Sequence, residues 1–419
     1  MTTTTLIQAD ARRIPLADRS VQCVVTSPPY FGLRDYGVHG QIGLESSVAE
    51  YVRTMVQVFR EVRRVLRDDG TVWCNMGDSY ASSGTMGYSS GLDEYAREHR
   101  GQVDNGPKNG QRLMGRAPTP DGLAPKNLLG IPWRLAFALQ DDGWILRSDI
   151  VWSKPNPMPE SVTDRPTKSH EYIFMLSKRE RYFYDAEAVR EGSTNQNGAA
   201  ALFCRPGGKG RAASRNDADY RPREDNGSRN LRSVWTITPR PFAGAHFATF
   251  PSELVERCIK AGTSERGQCP TCGRAWEREL EPIGKEISGH PRGKNAAFCA
   301  ERAINGATPM KTIRLDRGWR PGCPCIGRTE TFEPGPEYPD AEPITVAFPH
   351  EPVPQVVFDP FGGAGTVPLV ASNMGRRGVM TELNPAYIDM ARRRISRPHA
   401  KPERTAREEH HPLFSGIEP

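Results

Sequence analysis

The sequence predicts an α/β fold around a mostly parallel sheet, because strand-like runs alternate with amphipathic helices at both ends of the chain. Near the N-terminus, residues 21–25 and 71–76 are apolar runs typical of buried strands. Between them, apolar residues recur at three- and four-residue spacing from Val48 to Leu66, which predicts a helix with one buried face. Near the C-terminus, strands at 356–358 and 378–381 are each followed by a helix, at 367–374 and 385–395.

Composition narrows the class of protein. The 419 residues include 56 Lys and Arg against 50 Asp and Glu, and the resulting charge of +6 does not by itself indicate a nucleic-acid partner. The mean hydropathy of -0.60 and the lack of about 18 consecutive apolar residues exclude an integral membrane protein. No basic and apolar leader follows Met1, and the nine cysteines are mostly scattered, so we expect a cytoplasmic protein with reduced thiols.

A proline-rich turn, Thr26-Ser27-Pro28-Pro29-Tyr30, ends the strand at 21–25. Two successive prolines cannot donate to a strand ladder, so the strand must stop there. The Ser27 hydroxyl and the rigid Pro28 carbonyl are acceptors that suit an exocyclic amine, and the Tyr30 ring suits stacking on a flat base. Taken alone, such a pentapeptide is more often a serine turn that only ends a strand.

A glycine-rich turn, Asp359 to Thr366, lies between a strand and a helix. Ligands of α/β sheets bind at such positions, where glycine lets the backbone approach them closely. Glu382 ends the next strand, 23 positions after Asp359, where an acid can accept hydrogen bonds from ribose hydroxyls. The turn lacks the third glycine of a dinucleotide fingerprint and the Gly-Lys-Ser/Thr of a triphosphate loop, which favours a nucleoside ligand without pyrophosphate.

Together, the two turns resemble those of the S-adenosylmethionine-dependent DNA amino-methyltransferases, in the subgroup whose catalytic motif precedes the cofactor motif. The resemblance covers roughly residues 5–185 and 233–397 and implies a Rossmann-like methyltransferase core. It implies a catalytic motif of Ser27, Pro28, Pro29 and Tyr30. The cofactor-binding residues that it implies are Asp10, Phe250, Asp359, Pro360, Phe361, Gly363, Gly365, Thr366 and Glu382.

The resemblance also implies the reaction, which is direct methyl transfer to the exocyclic amine of a base flipped out of double-stranded DNA. In the family, Ser-Pro-Pro-Tyr is associated mainly with N4 of cytosine, and Asp/Asn-Pro-Pro-Tyr with N6 of adenine. Ser27 therefore favours cytosine, with adenine as the alternative. Neither Cys23 nor Cys74 follows a proline, which argues against carbon-5 cytosine chemistry.

Four cysteines predict a structural zinc site. Cys269 and Cys272 have two residues between them and a glycine after them, and Cys323 and Cys325 follow about 50 positions later. Four thiolates complete a tetrahedral zinc shell, although the second pair has one intervening residue where two are usual. Four unrelated free thiols are the alternative, and a disulfide is disfavoured in a reducing compartment.

These assignments divide the chain into segments. The catalytic half of the core is expected at 1–185, with a long loop at 77–127, and a basic loop that contacts DNA at 186–232. Residues 233–263 precede a zinc-binding insertion at 264–333, with the cofactor half at 334–397 and a disordered tail at 398–419. The segment 264–350 is expected to be irregular. Within 201–232 the basic residues are Arg205, Lys209, Arg211, Arg215, Arg221, Arg223, Arg229 and Arg232, against four acidic ones, and a solvated loop is the alternative to a DNA contact.

Two other classes stay open. One is methylation of RNA or of a protein amide by a related fold. The basic loop and the cysteine cluster favour DNA over these two substrates. The other is a non-catalytic, zinc-containing DNA-binding protein, against which the intact Ser27, Tyr30, Asp359 and Glu382 argue. A cognate restriction endonuclease is an open partner, because no nuclease motif is evident in this chain.

Overall fold

The computed structural model describes residues 4–81, 123–157, 159–192, 228–239, 250–287, 310–332 and 343–396. Its helices are α1 (Val48–Val65), α2 (Ile131–Asp141), α3 (Ser252–Gly262), α4 (Thr366–Asn373) and α5 (Pro385–Ser396). Its strands are β1 (Thr5–Gln8), β2 (Val21–Thr26), β3 (Leu66–Met76), β4 (Ile145–Ser153), β5 (His170–Ser177), β6 (Glu191–Gly192), β7 (Ser228–Arg229), β8 (Val234–Thr236), β9 (Glu277–Ile287), β10 (Met310–Arg320), β11 (Ile326–Phe332), β12 (Ile344–Pro349), β13 (Val356–Asp359) and β14 (Arg377–Glu382).

The core of the molecule is one eight-stranded sheet in the order β1-β14-β13-β2-β3-β5-β4-β8. Strand β5 is antiparallel to both of its neighbours, and every other pair in this sheet is parallel. The prediction of a mostly parallel α/β sheet is therefore confirmed. The strand order runs outward in opposite directions from β13 and β2, so the topological switch point lies between these two strands.

Both faces of the sheet are covered, as parallel sheets require. Side chains alternate along β2, so that Val24 packs into one hydrophobic cluster while Cys23 and Val25 pack into a second. The first cluster contains the buried face of α1 and residues of α2, and the second contains residues of α3 and α4. The sheet is thus the middle of three layers.

Helix α1 follows the predicted pattern closely. Ser47 caps it by accepting a hydrogen bond from the backbone N–H of Glu50 at 3.2 Å. Its buried residues are Val48, Tyr51, Met55, Val58, Phe59, Val62 and Val65. None of the helices in the described ranges is both long and apolar enough to cross a membrane.

A small lobe of two antiparallel ribbons lies between α3 and β13 in the sequence. Strand β9 pairs with β10, and β11 pairs with β12. The expectation that residues 264–350 are irregular is therefore wrong. The ribbon β11–β12 is mostly exposed, so its strands have neither a buried apolar run nor one apolar face that would reveal them in the sequence. The β11–β12 pairing also crosses the expected segment boundary at residue 333.

Candidate active site and cysteine cluster

The proline turn and the glycine turn lie side by side at the switch point of the sheet. Strand β2 ends at Thr26 and strand β13 ends at Asp359, and the two strands pair in parallel with Val24 opposite Phe358. The Thr26 hydroxyl donates a hydrogen bond of 2.7 Å to Oδ1 of Asp359. Although 333 residues separate them in sequence, the two predicted motifs therefore form adjacent walls of one crevice.

The proline turn is held from below by α1 and presents polar atoms above the sheet. The Tyr51 hydroxyl donates to the Pro29 carbonyl oxygen at 2.8 Å, and the ring of Phe31 packs on that of Tyr51. Among the described residues, the Pro28 carbonyl oxygen accepts no hydrogen bond. This oxygen is therefore available to a ligand. Phe31 is buried, and its role is packing.

A polar network that the sequence did not predict stands behind Tyr30. The Tyr30 hydroxyl donates to Oε2 of Glu171 at 2.7 Å, and Asn75 Nδ2 donates to the same oxygen at 2.9 Å. Asn75 Nδ2 also lies 3.1 Å from the Tyr30 hydroxyl and 3.4 Å from Ser27 Oγ. Lys154 forms an ion pair with Oε1 of Glu171.

The topology explains why this network converges. Asn75 lies near the carboxyl end of β3, Lys154 follows β4, and Glu171 lies at the start of β5. Because β5 runs antiparallel to β3 and β4, its first residues reach the edge where those strands end. Two signals of this network are present in the sequence. One is an asparagine in the otherwise apolar run at 71–76. The other is the pair of segments Trp152-Ser153-Lys154-Pro155-Asn156 and His170-Glu171-Tyr172, which resemble elements of the amino-methyltransferase family.

The charge of Glu171 is balanced inside the protein. Burial alone would raise the pKa of Glu171, but the Lys154 ammonium and the donors Tyr30 and Asn75 lower it below its ordinary value. For Tyr30, burial and the neighbouring Glu171 charge raise the pKa well above 10. At neutral pH the carboxylate is therefore ionised and the phenol keeps its proton.

On the cofactor side, Asp359 is 2% exposed and accepts hydrogen bonds from the Thr26 hydroxyl and from the backbone N–H of Phe361 at 3.0 Å. Burial raises the pKa of Asp359 to about 7, since these two bonds only partly offset the cost of desolvating its charge. Among the described residues no basic side chain pairs with Asp359.

The glycine turn packs its backbone against β14 and α5 without room for side chains. A Cβ at Gly362 would lie 2.5 Å from Met380 Sδ, and one at Gly365 would lie 2.8 Å from the Cβ of Ala391. Gly363 and Gly365 have φ of 49° and 74°, a left-handed region that favours glycine. The Gly363 N–H donates to Oε2 of Glu382 at 2.9 Å, which ties the turn to the end of β14.

The other predicted cofactor residues border this turn. Asp10 lies after β1, whose last residue pairs with Glu382, and both Asp10 oxygens accept hydrogen bonds from Arg12. The Pro360 carbonyl accepts from Thr381 Oγ1, and Thr366 Oγ1 accepts from Arg394. Partly buried Phe361 and Phe250 pack against the first and the second cluster, respectively. Phe250 belongs to the segment from His246 to Pro251, which resembles the family motif that lines the methionine side of the cofactor. Residues 246–249 of this segment lie outside the described residues.

The four predicted zinc ligands are brought together. The Sγ atoms of Cys269, Cys272, Cys323 and Cys325 all lie within 4.8 Å of one another, and these four cysteines are free of disulfides. Burial raises the pKa of Cys269, but the backbone N–H groups of Cys272 and Thr271, together with the neighbouring thiols of Cys323 and Cys272, lower it to about 6. The pKa of Cys323 and that of Cys325 are raised. A zinc–sulfur distance of about 2.3 Å requires sulfurs about 3.8 Å apart in a tetrahedron, which this spacing allows.

The basic loop is only partly described, since residues 193–227 lie outside the described ranges. Arg229 and Arg232 are described, and both pair with Oε2 of Glu191, at 3.1 and 2.8 Å. These two arginines are therefore already paired with an acidic side chain.

The two cysteines of the central strands are buried. Burial raises the pKa of Cys23 to about 12 and also raises the pKa of Cys74, so neither thiol is an activated nucleophile.

A mostly parallel α/β sheet, with a glycine turn and a Ser-Pro-Pro-Tyr turn on the two strands of its switch point, defines a Rossmann-like methyltransferase. Residues 21–269 match a protein family described as DNA methylase, of the N6 and N4 amino type. The chain belongs to this family and is an S-adenosylmethionine-dependent DNA amino-methyltransferase of the N4/N6 type.

Proteins similar to this chain are also named as DNA-modifying methyltransferases. It is 50% identical over 264 residues to the Type II methyltransferase M.Cfr9I of Citrobacter freundii, covering 62% of this chain and 72% of the relative. It is 45% identical over 266 residues to M.SmaI of Serratia marcescens, covering 63% and 76%. A solved putative DNA modification methylase from Thermus thermophilus, complexed with S-adenosylmethionine, is 18% identical, with 94% and 93% of the chains covered and a TM-score of 0.43.

Proposed function

We propose that this protein methylates N4 of cytosine at a specific site in double-stranded DNA, as the modification enzyme of a Type II system. The observation that carries the proposal is the hydrogen bond between Thr26 and Asp359, which joins the two turns at one switch point. A base held by the first turn then lies next to a cofactor held by the second. The relatives are named Type II methyltransferases, which supports the assignment of this protein to a Type II system.

On the base side, we assign the catalytic motif to Ser27, Pro28, Pro29 and Tyr30. The Pro28 carbonyl, which has no hydrogen-bond partner among the described residues, and the Ser27 hydroxyl accept hydrogen bonds from the two hydrogens of the amine, which directs its lone pair toward the methyl group. The Tyr30 ring stacks on the flipped base, and Pro29 fixes the turn through its bond from Tyr51. These groups act by orientation and polar stabilisation, without a covalent intermediate.

On the cofactor side, the residues present fit S-adenosylmethionine. The cofactor supplies an electrophilic methyl group on a cationic sulfonium. Glu382 uses one lone pair on each oxygen for the Gly363 and Asn384 backbone N–H groups, which leaves acceptor capacity for ribose hydroxyls. Asp10 is assigned to the adenine and Phe250 to the methionine side. The turn itself is assigned to Asp359, Pro360, Phe361, Gly363, Gly365 and Thr366.

The choice of cytosine over adenine rests on Ser27 at the first position of the motif. The test is to express the chain in a host that lacks amino-methylated DNA and to identify the modified nucleoside by mass after digestion. We expect N4-methylcytosine. If N6-methyladenine were the only product, the cytosine assignment would be wrong while the enzyme class would stand.

We further propose that the four cysteines hold one structural zinc ion in the insertion, expected at 264–333, and thereby fix the ribbons of the lobe. The donor set supports this, because four sulfurs that lie within 4.8 Å of one another match the ligands of a zinc shell. Elemental analysis of protein purified without chelator should give one zinc per chain. Cys272→Ser should lose it, whereas Thr271→Ala, which changes a neighbour that bonds His350, should keep it. Wild-type protein without stoichiometric zinc would remove the proposal.

Three remaining assignments are proposals of the same kind. The basic loop at 186–232 contacts DNA phosphates, a role that its excess of basic residues supports. A cognate endonuclease acts as the partner of a Type II modification enzyme. The protein works in the cytoplasm, where its DNA substrate lies.

A further inference from the structure

Glu171 controls the direction of the hydrogen bonds behind the base-side turn. An ionised carboxylate only accepts hydrogen bonds, so the single hydrogen of the Tyr30 hydroxyl must point toward Glu171, 2.7 Å away. The Asn75 amide is oriented in the same way, because its Nδ2 faces Glu171 at 2.9 Å and its oxygen would be repelled there. The carboxylate thus fixes the polarity of both neighbours.

This polarity passes from Tyr30 to Ser27. With its hydrogen committed to Glu171, the Tyr30 oxygen can only accept, and Asn75 Nδ2 lies 3.1 Å from it. Ser27 Oγ lies 3.4 Å from the same Nδ2, so an N–H of Asn75 faces the Ser27 oxygen, and the single hydrogen of Ser27 is left for the Tyr30 oxygen as the neighbouring acceptor. In this arrangement the Ser27 oxygen offers the crevice a lone pair and no hydrogen, which is the state that an amine donor requires.

Two features keep this arrangement in place. Lys154 balances the charge of Glu171, and the Lys154 ammonium is itself held 4.4 Å from the centre of the Trp152 ring. Gly77 brings the backbone against the Tyr30 ring, where a Cβ would lie 2.4 Å from Cε2. The Tyr30 ring is therefore confined by packing as well as by its hydrogen bonds.

We infer that Glu171 is a positioning residue for methyl transfer, which acts through Tyr30 to make Ser27 a pure acceptor toward the target amine. This inference rests on the proposed function and adds to it a charged group that does not touch the base. A neutral glutamine at position 171 could donate to Tyr30, which would let the Tyr30 hydrogen turn to Ser27 and occupy its lone pair.

The test compares single-turnover rates of methyl transfer by full-length Glu171→Gln and wild-type protein, using labelled S-adenosylmethionine and unmodified plasmid DNA. We expect the rate to fall about 10-fold while the cofactor Kd, from calorimetry, changes less than about 2-fold. The matched control is Glu187→Gln, which neutralises a partly buried glutamate of another ion pair, Arg190–Glu187, and should keep the wild-type rate. A wild-type rate in Glu171→Gln would overturn the inference.

A double-mutant cycle with Tyr30→Phe separates positioning from general damage. Tyr30→Phe removes the hydroxyl that transmits the polarity, so we expect it to lower the rate about 10-fold alone and Glu171→Gln to add less than about 2-fold to it. Losses that multiply would contradict the inference, and an unchanged rate in Tyr30→Phe would contradict it even if Glu171→Gln did not fold. The wild-type arm tests the proposed function separately, since wild-type protein that transfers no methyl group to DNA would refute that function.

Discussion

A largely buried carboxylate lies on each side of the crevice, Glu171 on the base side and Asp359 on the cofactor side, and the surroundings of the two differ. Glu171 on the base side has a lysine and two hydrogen-bond donors, and its pKa lies below the ordinary value. Asp359 on the cofactor side has two donors and no basic partner among the described residues, and burial raises its pKa to about 7. On the base side, Lys154 already balances the Glu171 carboxylate, which suits a neutral base. On the cofactor side, an ionised Asp359 has no basic partner among the described residues, and a cationic cofactor can balance its charge.

The largest expected effect separates the two sides by function. Ser27→Ala should lower the single-turnover rate by about 100-fold, because it removes an acceptor that is needed when charge develops on the amine. The Kd of S-adenosylmethionine should change less than about 2-fold, because the cofactor turn is untouched. Quenched single-turnover assays measure the rate, and calorimetry measures the Kd of S-adenosylmethionine. Parallel losses of rate and of cofactor affinity would show that the two turns do not divide these roles.

A smaller effect is expected from unbalancing the base side. Lys154→Met leaves Glu171 without its cation, and we expect the free energy of unfolding to fall by about 2 kcal/mol at pH 7, since both side chains are only partly exposed. The matched control is Lys126→Met, which breaks the exposed pair with Asp164 and should cost less than about 1 kcal/mol. Urea unfolding measures both. Equal losses in the two variants would argue against a balanced internal charge.

The smallest expected effect concerns pH on the cofactor side. Below pH about 7 the buried Asp359 holds a proton in the free protein, and binding of a cation favours the ionised form, so binding must release that proton. The affinity for S-adenosylmethionine should therefore rise as pH rises from 6 to 7, by at most about 10-fold, and then level off. Calorimetry in buffers of different ionisation enthalpy measures the proton release.

The control for this prediction is Asp359→Asn, which cannot ionise. Its affinity for S-adenosylmethionine should be lower, and the contribution of position 359 to the pH dependence should disappear. If wild-type protein and Asp359→Asn had the same pH profile, the unbalanced charge of Asp359 would play no part in cofactor binding.

The sequence predicted the elements whose burial leaves a periodic pattern. Helix α1 and strands β2 and β13 were predicted within a few residues, and the turns that end these strands have a strong proline or glycine signal. The exposed ribbons of the lobe were missed, because strands such as β11 have no buried face. The Glu171 network was also missed, since it depends on the antiparallel register of β5 against β3 and β4, which no local pattern encodes.

The central claim is that the two turns, which are far apart in sequence, form one site. A ternary crystal structure with S-adenosylhomocysteine and a DNA duplex that contains the unmodified target sequence tests this claim most directly. We predict a base flipped out of the duplex, with its exocyclic amine within hydrogen-bond distance of Ser27 Oγ and the Pro28 carbonyl. The cofactor sulfur should face this amine, with its ribose at Glu382 and its backbone contacts along the turn from Asp359 to Thr366. A base that stays stacked, or a cofactor bound away from that turn, would contradict the account.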